Sequence, residues 1–139
     1  MTTRKLFVYG TLKRGNAPAE IRDVVRRMRP LGDAVVRGHL YQLDGYPGLA
    51  LDAAGKFIRG RVYELPSGKD QAEAAIAQLD RYEEFDSERP ASSLFRRVLC
   101  RPHLAGGKRS LAWIYVYNRP IDAMQPLKVA RWSPTVAAS

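Results

Sequence analysis

The sequence predicts an α+β fold, a small mixed β-barrel of about six strands with two main helices. Three observations lead there. Strand-like and helix-like runs follow the order strand, helix, strands, helix, strands, not the strict alternation of a doubly wound parallel sheet. Two strand-like runs are interrupted by Gly38 and Gly60, and a strand glycine marks a bulge or bend of the kind that curls a sheet. The run Leu111 to Tyr117 is apolar on both faces, which places it in the middle of the sheet.

Lys5 to Tyr9 is the first strand, since β-branched and aromatic residues cluster there until Gly10 breaks the run. A loop from Gly10 to Asn16 follows. Pro18 suits a first helical turn, and Ile21, Val24, Val25 and Met28 recur at i, i+3, i+4 and i+7 as one apolar stripe that Pro30 and Gly32 terminate. Ala34 to Leu43 and Phe57 to Leu65 read as strands. Ser67 and Asp70 have the spacing of a capping box, and Ala72, Ala75, Ile76 and Leu79 give a second helix its buried stripe, ending near Arg81. Tyr82 to Pro90 is then an acidic loop. Phe95 to Leu104 and Ser110 to Tyr117 flank Gly106-Gly107, a hairpin turn signal. The tail after Pro120 has little periodicity.

With 139 residues, 45% of them hydrophobic and 27% charged, the chain has the composition of an ordinary globular domain and not of a disordered one. One domain is expected over residues 1–139, with its core in 5–118 and a C-terminal tail in 119–139. Leu111 to Tyr117, the longest apolar stretch, is far short of the roughly 20 residues of a membrane span, so no membrane partner is expected. The single cysteine, Cys100, closes no internal disulfide and has only His103 nearby as a metal-ligand type, so the expectation is a cytoplasmic protein without metal. The net charge of +9 keeps nucleic acid open as a partner, but the arginines are scattered, and a solvated basic surface is the better reading.

Two segments are candidates for chemistry. In Tyr9-Gly10-Thr11-Leu12 a strand breaks at glycine, where backbone N–H groups freed from the ladder are able to face an anion or a developing oxyanion. The segment lacks the spacing of a phosphate loop or a dinucleotide fingerprint. In Leu79-Asp80-Arg81-Tyr82-Glu83-Glu84-Phe85-Asp86, carboxylates gather at a helix end beside aromatic rings, and burial there raises a carboxyl toward the pKa a general base or acid needs. The plain alternatives are a connector with a basic tip and a solvated acidic loop. His39 and His103 have no nucleophile at useful spacing and read as structural.

Taken together, Phe7-Val8-Tyr9-Gly10-Thr11-Leu12 and Leu79-Asp80-Arg81-Tyr82-Glu83 resemble the paired signatures of the gamma-glutamylcyclotransferase-like family, which includes gamma-glutamylamine cyclotransferases. Gly45-Tyr46-Pro47-Gly48-Leu49, Gly60-Arg61-Val62-Tyr63-Glu64-Leu65, Ser93-Leu94-Phe95-Arg96-Arg97 and Ala112-Trp113-Ile114-Tyr115-Val116-Tyr117 extend the likeness over roughly residues 5–118. The resemblance implies a cavity for a small-molecule gamma-glutamyl substrate, ring closure to 5-oxoproline without a cofactor, and one acid–base glutamate, which maps onto Glu83. It also implies substrate binding by the loop after the first strand, with Tyr9, Gly10, Thr11, Leu12 and Tyr82 as candidates, although both tyrosines read equally well as core. Two positions depart from the family pattern: relatives often carry Gly at Glu84 and Tyr at Phe95. A like charge at Glu84 is expected to raise the pKa of Glu83 if the two carboxyls are close. The sequence leaves open the leaving group, the oligomeric state, and a non-catalytic ligand-binding or protein-binding module on the same fold.

Overall fold

The first strand lies inside the sheet, with a neighbouring strand on either side, and the sheet is built outward from it. The computed structural model describes residues 2–10, 19–43, 46–121 and 125–127. In chain order the strands are β1 (Lys5–Val8), β2 (Arg29–Gln42), β3 (Pro47–Leu51), β4 (Lys56–Glu64), β5 (Phe95–Cys100), β6 (His103–Leu104) and β7 (Ala112–Tyr117). The helices are α1 (Arg22–Arg27) and α2 (Lys69–Tyr82), with short 3-10 turns at Ala19–Ile21 and Pro90–Ser92. The sheet order is β3-β2-β4-β1-β7-β5, with β6 added to β2, and the sheet curls into a half-barrel. It is mixed: β1 runs antiparallel to β4, with Leu6 opposite Tyr63, and parallel to β7, with Leu6 opposite Trp113. β7 lies between β1 and β5, the interior position its two apolar faces require.

Alternation along β1 divides the core in two. Leu6 and Val8 face the helices, where Ile21, Val24 and Leu79 cover them, while Phe7 points into the curl with Val36, Leu40, Val62 and Ile114. Full burial of side chains of this size contributes about 1.5 to 3 kcal/mol each, and both faces of β1 are filled this way. Among the described residues no backbone ladder joins β3 to β5 at the two ends of the sheet; side chains do. The Tyr46 ring lies 6.1 Å from that of Phe95, which lies 5.7 Å from Tyr117. Phe95 is a buried ring in this closure.

The structure departs from the sequence reading in five places. Pro30 and Gly32 do not form a connector after α1; the helix stops at Arg27, and both residues belong to the opening of β2, where the register shifts between them. β3 was not among the expected strands, because its Gly-Tyr-Pro-Gly context has the composition of a turn. The expected strand from Phe95 to Leu104 divides at Arg101-Pro102, and β6 leaves to pair with β2, so Gly106-Gly107 closes a small turn beside β6. The capping box of α2 does not form, since Gly68 rather than Ser67 occupies the N-cap and no side chain caps the helix. Gly38 and Gly60 are not bulges, for the register is regular at both. They are glycines because a Cβ would collide with the backbone carbonyl of Ala50 or of Val8 respectively.

Candidate active site

The site begins where α2 ends. Leu79 anchors the last turn in the core, and the chain then leaves the helix through two crossed hydrogen bonds: Glu84 N–H to the Arg81 carbonyl at 3.2 Å and Phe85 N–H to the Asp80 carbonyl at 2.8 Å. This is a Schellman stop, and its left-handed residue is Glu84, at φ 55°. Glu83 is the C-cap, with φ −83° and its N–H bonded to the Leu79 carbonyl at 2.9 Å, so its backbone is fixed on both sides. Part of the residue reaches the surface, yet its carboxyl is enclosed by protein. Burial, and after it the negative charge of Asp80, push the Glu83 carboxyl up from 4.5 to about 7. The expected influence of Glu84 is not what acts here: Glu84 is exposed, and the like charge comes from Asp80, one helical turn earlier.

Asp80 is held from the far side by the sheet. Arg97 on β5 donates Nε to Oδ1 at 2.8 Å and Nη2 to Oδ2 at 3.2 Å, the two-point geometry that a planar guanidinium makes with a carboxylate. The Tyr115 hydroxyl on β7 donates to the same Oδ1 at 2.6 Å. Arg97 in turn lies 4.3 Å above the Trp113 ring and 5.7 Å from that of Phe85, and both ends of the ion pair are 15% exposed. The chain of contacts continues to the residue just after β1, where the Tyr9 hydroxyl donates to the Tyr115 carbonyl at 2.6 Å. The Tyr9 oxygen also takes a backbone hydrogen bond from Leu49 on β3. Burial, followed by the charge of Glu83, raises the Tyr9 phenol well above its ordinary value; burial, followed by Asp80, does the same for Tyr115. Both phenols thus stay protonated at neutral pH, leaving Glu83 as the group in this cluster that exchanges a proton there.

Of the sequence candidates, Tyr9 and Glu83 come within electrostatic reach of one another. Tyr82, beside Glu83, packs partly buried against the helix-side core. Gly10 follows β1 with Pro47 against it, and a Cβ there would meet Pro47 Cγ at 2.8 Å. Thr11 and Leu12 lie outside the described residues. Sequence reasoning did not single out Asp80, Arg97 or Tyr115 as a unit, because each is ordinary in its own segment and only the adjacency of β5, β7 and the end of α2 assembles them. His39 is paired with Asp52 at 2.9 Å and His103 is exposed on β6, so neither enters the cluster. Among the described residues no group of His, Cys, Asp and Glu is arranged to hold a metal. Burial pushes the Cys100 thiol up to about 12, which makes it a poor nucleophile. A groove of about 370 Å³ lined by Asp33, Arg59, Gly60, His103 and Leu104 opens elsewhere, on the β2–β4–β6 face.

The arrangement is thus a helix-end carboxyl that titrates near neutrality, braced by an ion pair and flanked by two protonated phenols, which is the equipment of general acid–base catalysis. The family described as "Gamma-glutamyl cyclotransferase, AIG2-like" matches residues 6–134. The gamma-glutamylcyclotransferase family protein YtfP of Escherichia coli (strain K12) is 29% identical over 131 residues, spanning 92% of this chain and 95% of its own. An AIG2-like protein from Mus musculus superposes with a TM-score of 0.72 at 17% identity, over 96% of this chain and 90% of that one. YkqA from Bacillus subtilis superposes with a TM-score of 0.67 at 19% identity, and this chain spans only 40% of that longer protein. No helix among the described residues is long and apolar enough to cross a membrane.

Proposed function

Because the chain belongs to the gamma-glutamyl cyclotransferase, AIG2-like family, we propose that it is a cyclotransferase that closes the gamma-glutamyl group of a small molecule into 5-oxoproline. The observation that carries this reading is the enclosed Glu83 carboxyl, raised to about 7. At that value both protonation states are populated at neutral pH, so one residue can accept a proton and return it.

In the reaction, Glu83 takes a proton from the substrate α-ammonium. The freed amine attacks its own γ-carbonyl carbon, and a five-membered ring forms through a tetrahedral intermediate. Glu83 passes its proton to the leaving nitrogen and takes a second from the ring nitrogen, the bond from that carbon to the leaving nitrogen breaks as the carbonyl re-forms, and Glu83 hands the second proton to the departing amine, which leaves as an ammonium. Atoms and charge balance without a cofactor. General acid–base assistance supplies about 10² to 10⁴ in rate, and holding the flexible glutamyl chain with amine and carbonyl in contact supplies the other large part of the acceleration. Backbone N–H groups of Gly10, Thr11 and Leu12 serve the substrate carboxylate or the oxyanion, and Tyr9 and Tyr82 border the bound group. One cysteine suits a reducing compartment, which supports a cytoplasmic protein.

The test is 5-oxoproline release from a panel of gamma-glutamyl amino acids and gamma-glutamyl amines. Wild type is expected to release it, and Glu83→Gln to be slower by at least about 10²-fold while remaining folded. Equal turnover by the two proteins refutes Glu83 as the acid–base group. Saturable binding without product by wild type would identify a ligand-binding module instead.

A further inference from the structure

We propose that Asp80 is the positioning residue for Glu83: clamped by Arg97 and Tyr115, it fixes the end of α2 against the sheet and holds a negative charge beside the catalytic carboxyl. The proposal rests on the acid–base reading of Glu83 and adds to it the group that sets its working pH.

The geometry is specific. Asp80 precedes Glu83 by three residues on one helix, so the two side chains share a face. A carboxylate placed there only to stabilise the helix would point to solvent and favour the N-terminal turn, whereas Asp80 sits in the last turn, where the helix dipole opposes a negative charge. It is kept there by three hydrogen bonds, two from Arg97 and one from Tyr115, that reach it from two different strands. Arg97 is itself immobilised over Trp113, whose indole N–H donates to the Thr3 carbonyl at 3.2 Å. The ionisable groups around Glu83 are therefore Asp80 in the last turn of α2, Tyr9 just after β1, and Tyr115 with Arg97 behind it from β7 and β5; Glu84 is exposed. Asp80 is the one whose charge acts on Glu83 with the sign that keeps its proton on. Arg97 holds Asp80 in place; its own charge has the opposite sign and does not figure among the influences on Glu83.

Glutamate labelled with ¹³C at the side-chain carboxyl, incorporated into the whole protein, reads the titration of Glu83 directly and needs no substrate. The resonance missing from Glu83→Gln identifies it. The midpoint is expected near 7 in wild type and lower by on the order of one pH unit in Asp80→Asn. Asp80→Asn leaves Arg97 as an orphaned cation, so the paired variant Asp80→Asn with Arg97→Gln removes both charges together and is expected to shift the midpoint in the same direction. With an active substrate from the panel, the acid limb of the kcat/KM profile moves with it, giving about a fivefold gain at pH 6 relative to the high-pH plateau. A midpoint unmoved in the folded variants overturns the proposal and marks Asp80 as a structural ion pair alone. Turnover retained by Glu83→Gln would instead overturn the acid–base reading, and the resonance titration keeps the two failures apart.

Discussion

Replacing Glu83 by glutamine should make the protein more stable, and only at neutral to alkaline pH. Burial and the Asp80 charge raise the folded-state value of Glu83 from 4.5 to about 7, so folding favours the protonated form. The stabilisation that goes with holding this proton is fully present below about pH 4.5 and is lost as the pH climbs through 7. At about 1.36 kcal/mol for each pH unit between the two values, the loss is about 3 kcal/mol when complete. Part of the residue touches solvent, which screens the carboxylate and brings the expected effect to about 2 kcal/mol. Glutamine has the shape of the protonated acid and escapes this penalty. Urea unfolding of both proteins at pH 4.5 and pH 8 measures the difference, and comparing the two proteins cancels every other titrating group. Wild type and variant should match at pH 4.5, and the variant should lead by about 2 kcal/mol at pH 8. A gap that is the same at both pH values, or a more stable wild type at pH 8, refutes the burial argument on which the acid–base reading depends.

Glu84→Gly should stabilise by about 1 kcal/mol or slightly less, because Glu84 holds φ 55°, a conformation glycine adopts without penalty, and thermal unfolding measures it. Turnover should stay within about twofold, since the Glu84 side chain is exposed and acts on nothing in the cluster. Gly10→Ala should cost about 1 to 3 kcal/mol and reduce turnover, because the new methyl would meet Pro47 Cγ at 2.8 Å and push the segment after β1 out of place. Cys100 should resist iodoacetamide in the native protein at pH 7.5 and react quickly once urea exposes it, as a buried thiol raised to about 12 requires.

Periodicity was enough to place the helices and most of the sheet. Ile21, Val24, Val25 and Met28 on one side and Ala72, Ala75, Ile76 and Leu79 on the other are all buried, and the double-faced apolar run of β7 lies inside the sheet as its pattern demands. The family resemblance drawn from the Tyr9 and Glu83 motifs is borne out. What escaped were features whose cause is non-local. No strand is expected around Pro47 and Gly48, and β3 exists because β2 offers it a full antiparallel ladder. Pro30 reads as a helix stop, yet the first residues of a strand tolerate proline. The acidic cluster at the end of α2 showed that a carboxyl there merited attention, but which neighbour acts on Glu83 depends on Arg97 and Tyr115, residues 17 and 35 positions from Asp80. No local pattern encodes that adjacency.

The hydrogen bond from Tyr9 to Tyr115 joins residues 106 positions apart, and it ties the residue just after β1 to β7, the last strand among the described residues. During synthesis, Tyr9 and the chain around it leave the ribosome long before β7 exists, and the parallel β1–β7 contact is of the kind that folds slowly because its loop is long. A growing chain therefore has α2, and Glu83 at its end, before it has the Arg97 and Tyr115 clamp that gives Asp80 its place. Asp80 and Glu83 come early, and the two side chains that hold Asp80 come late.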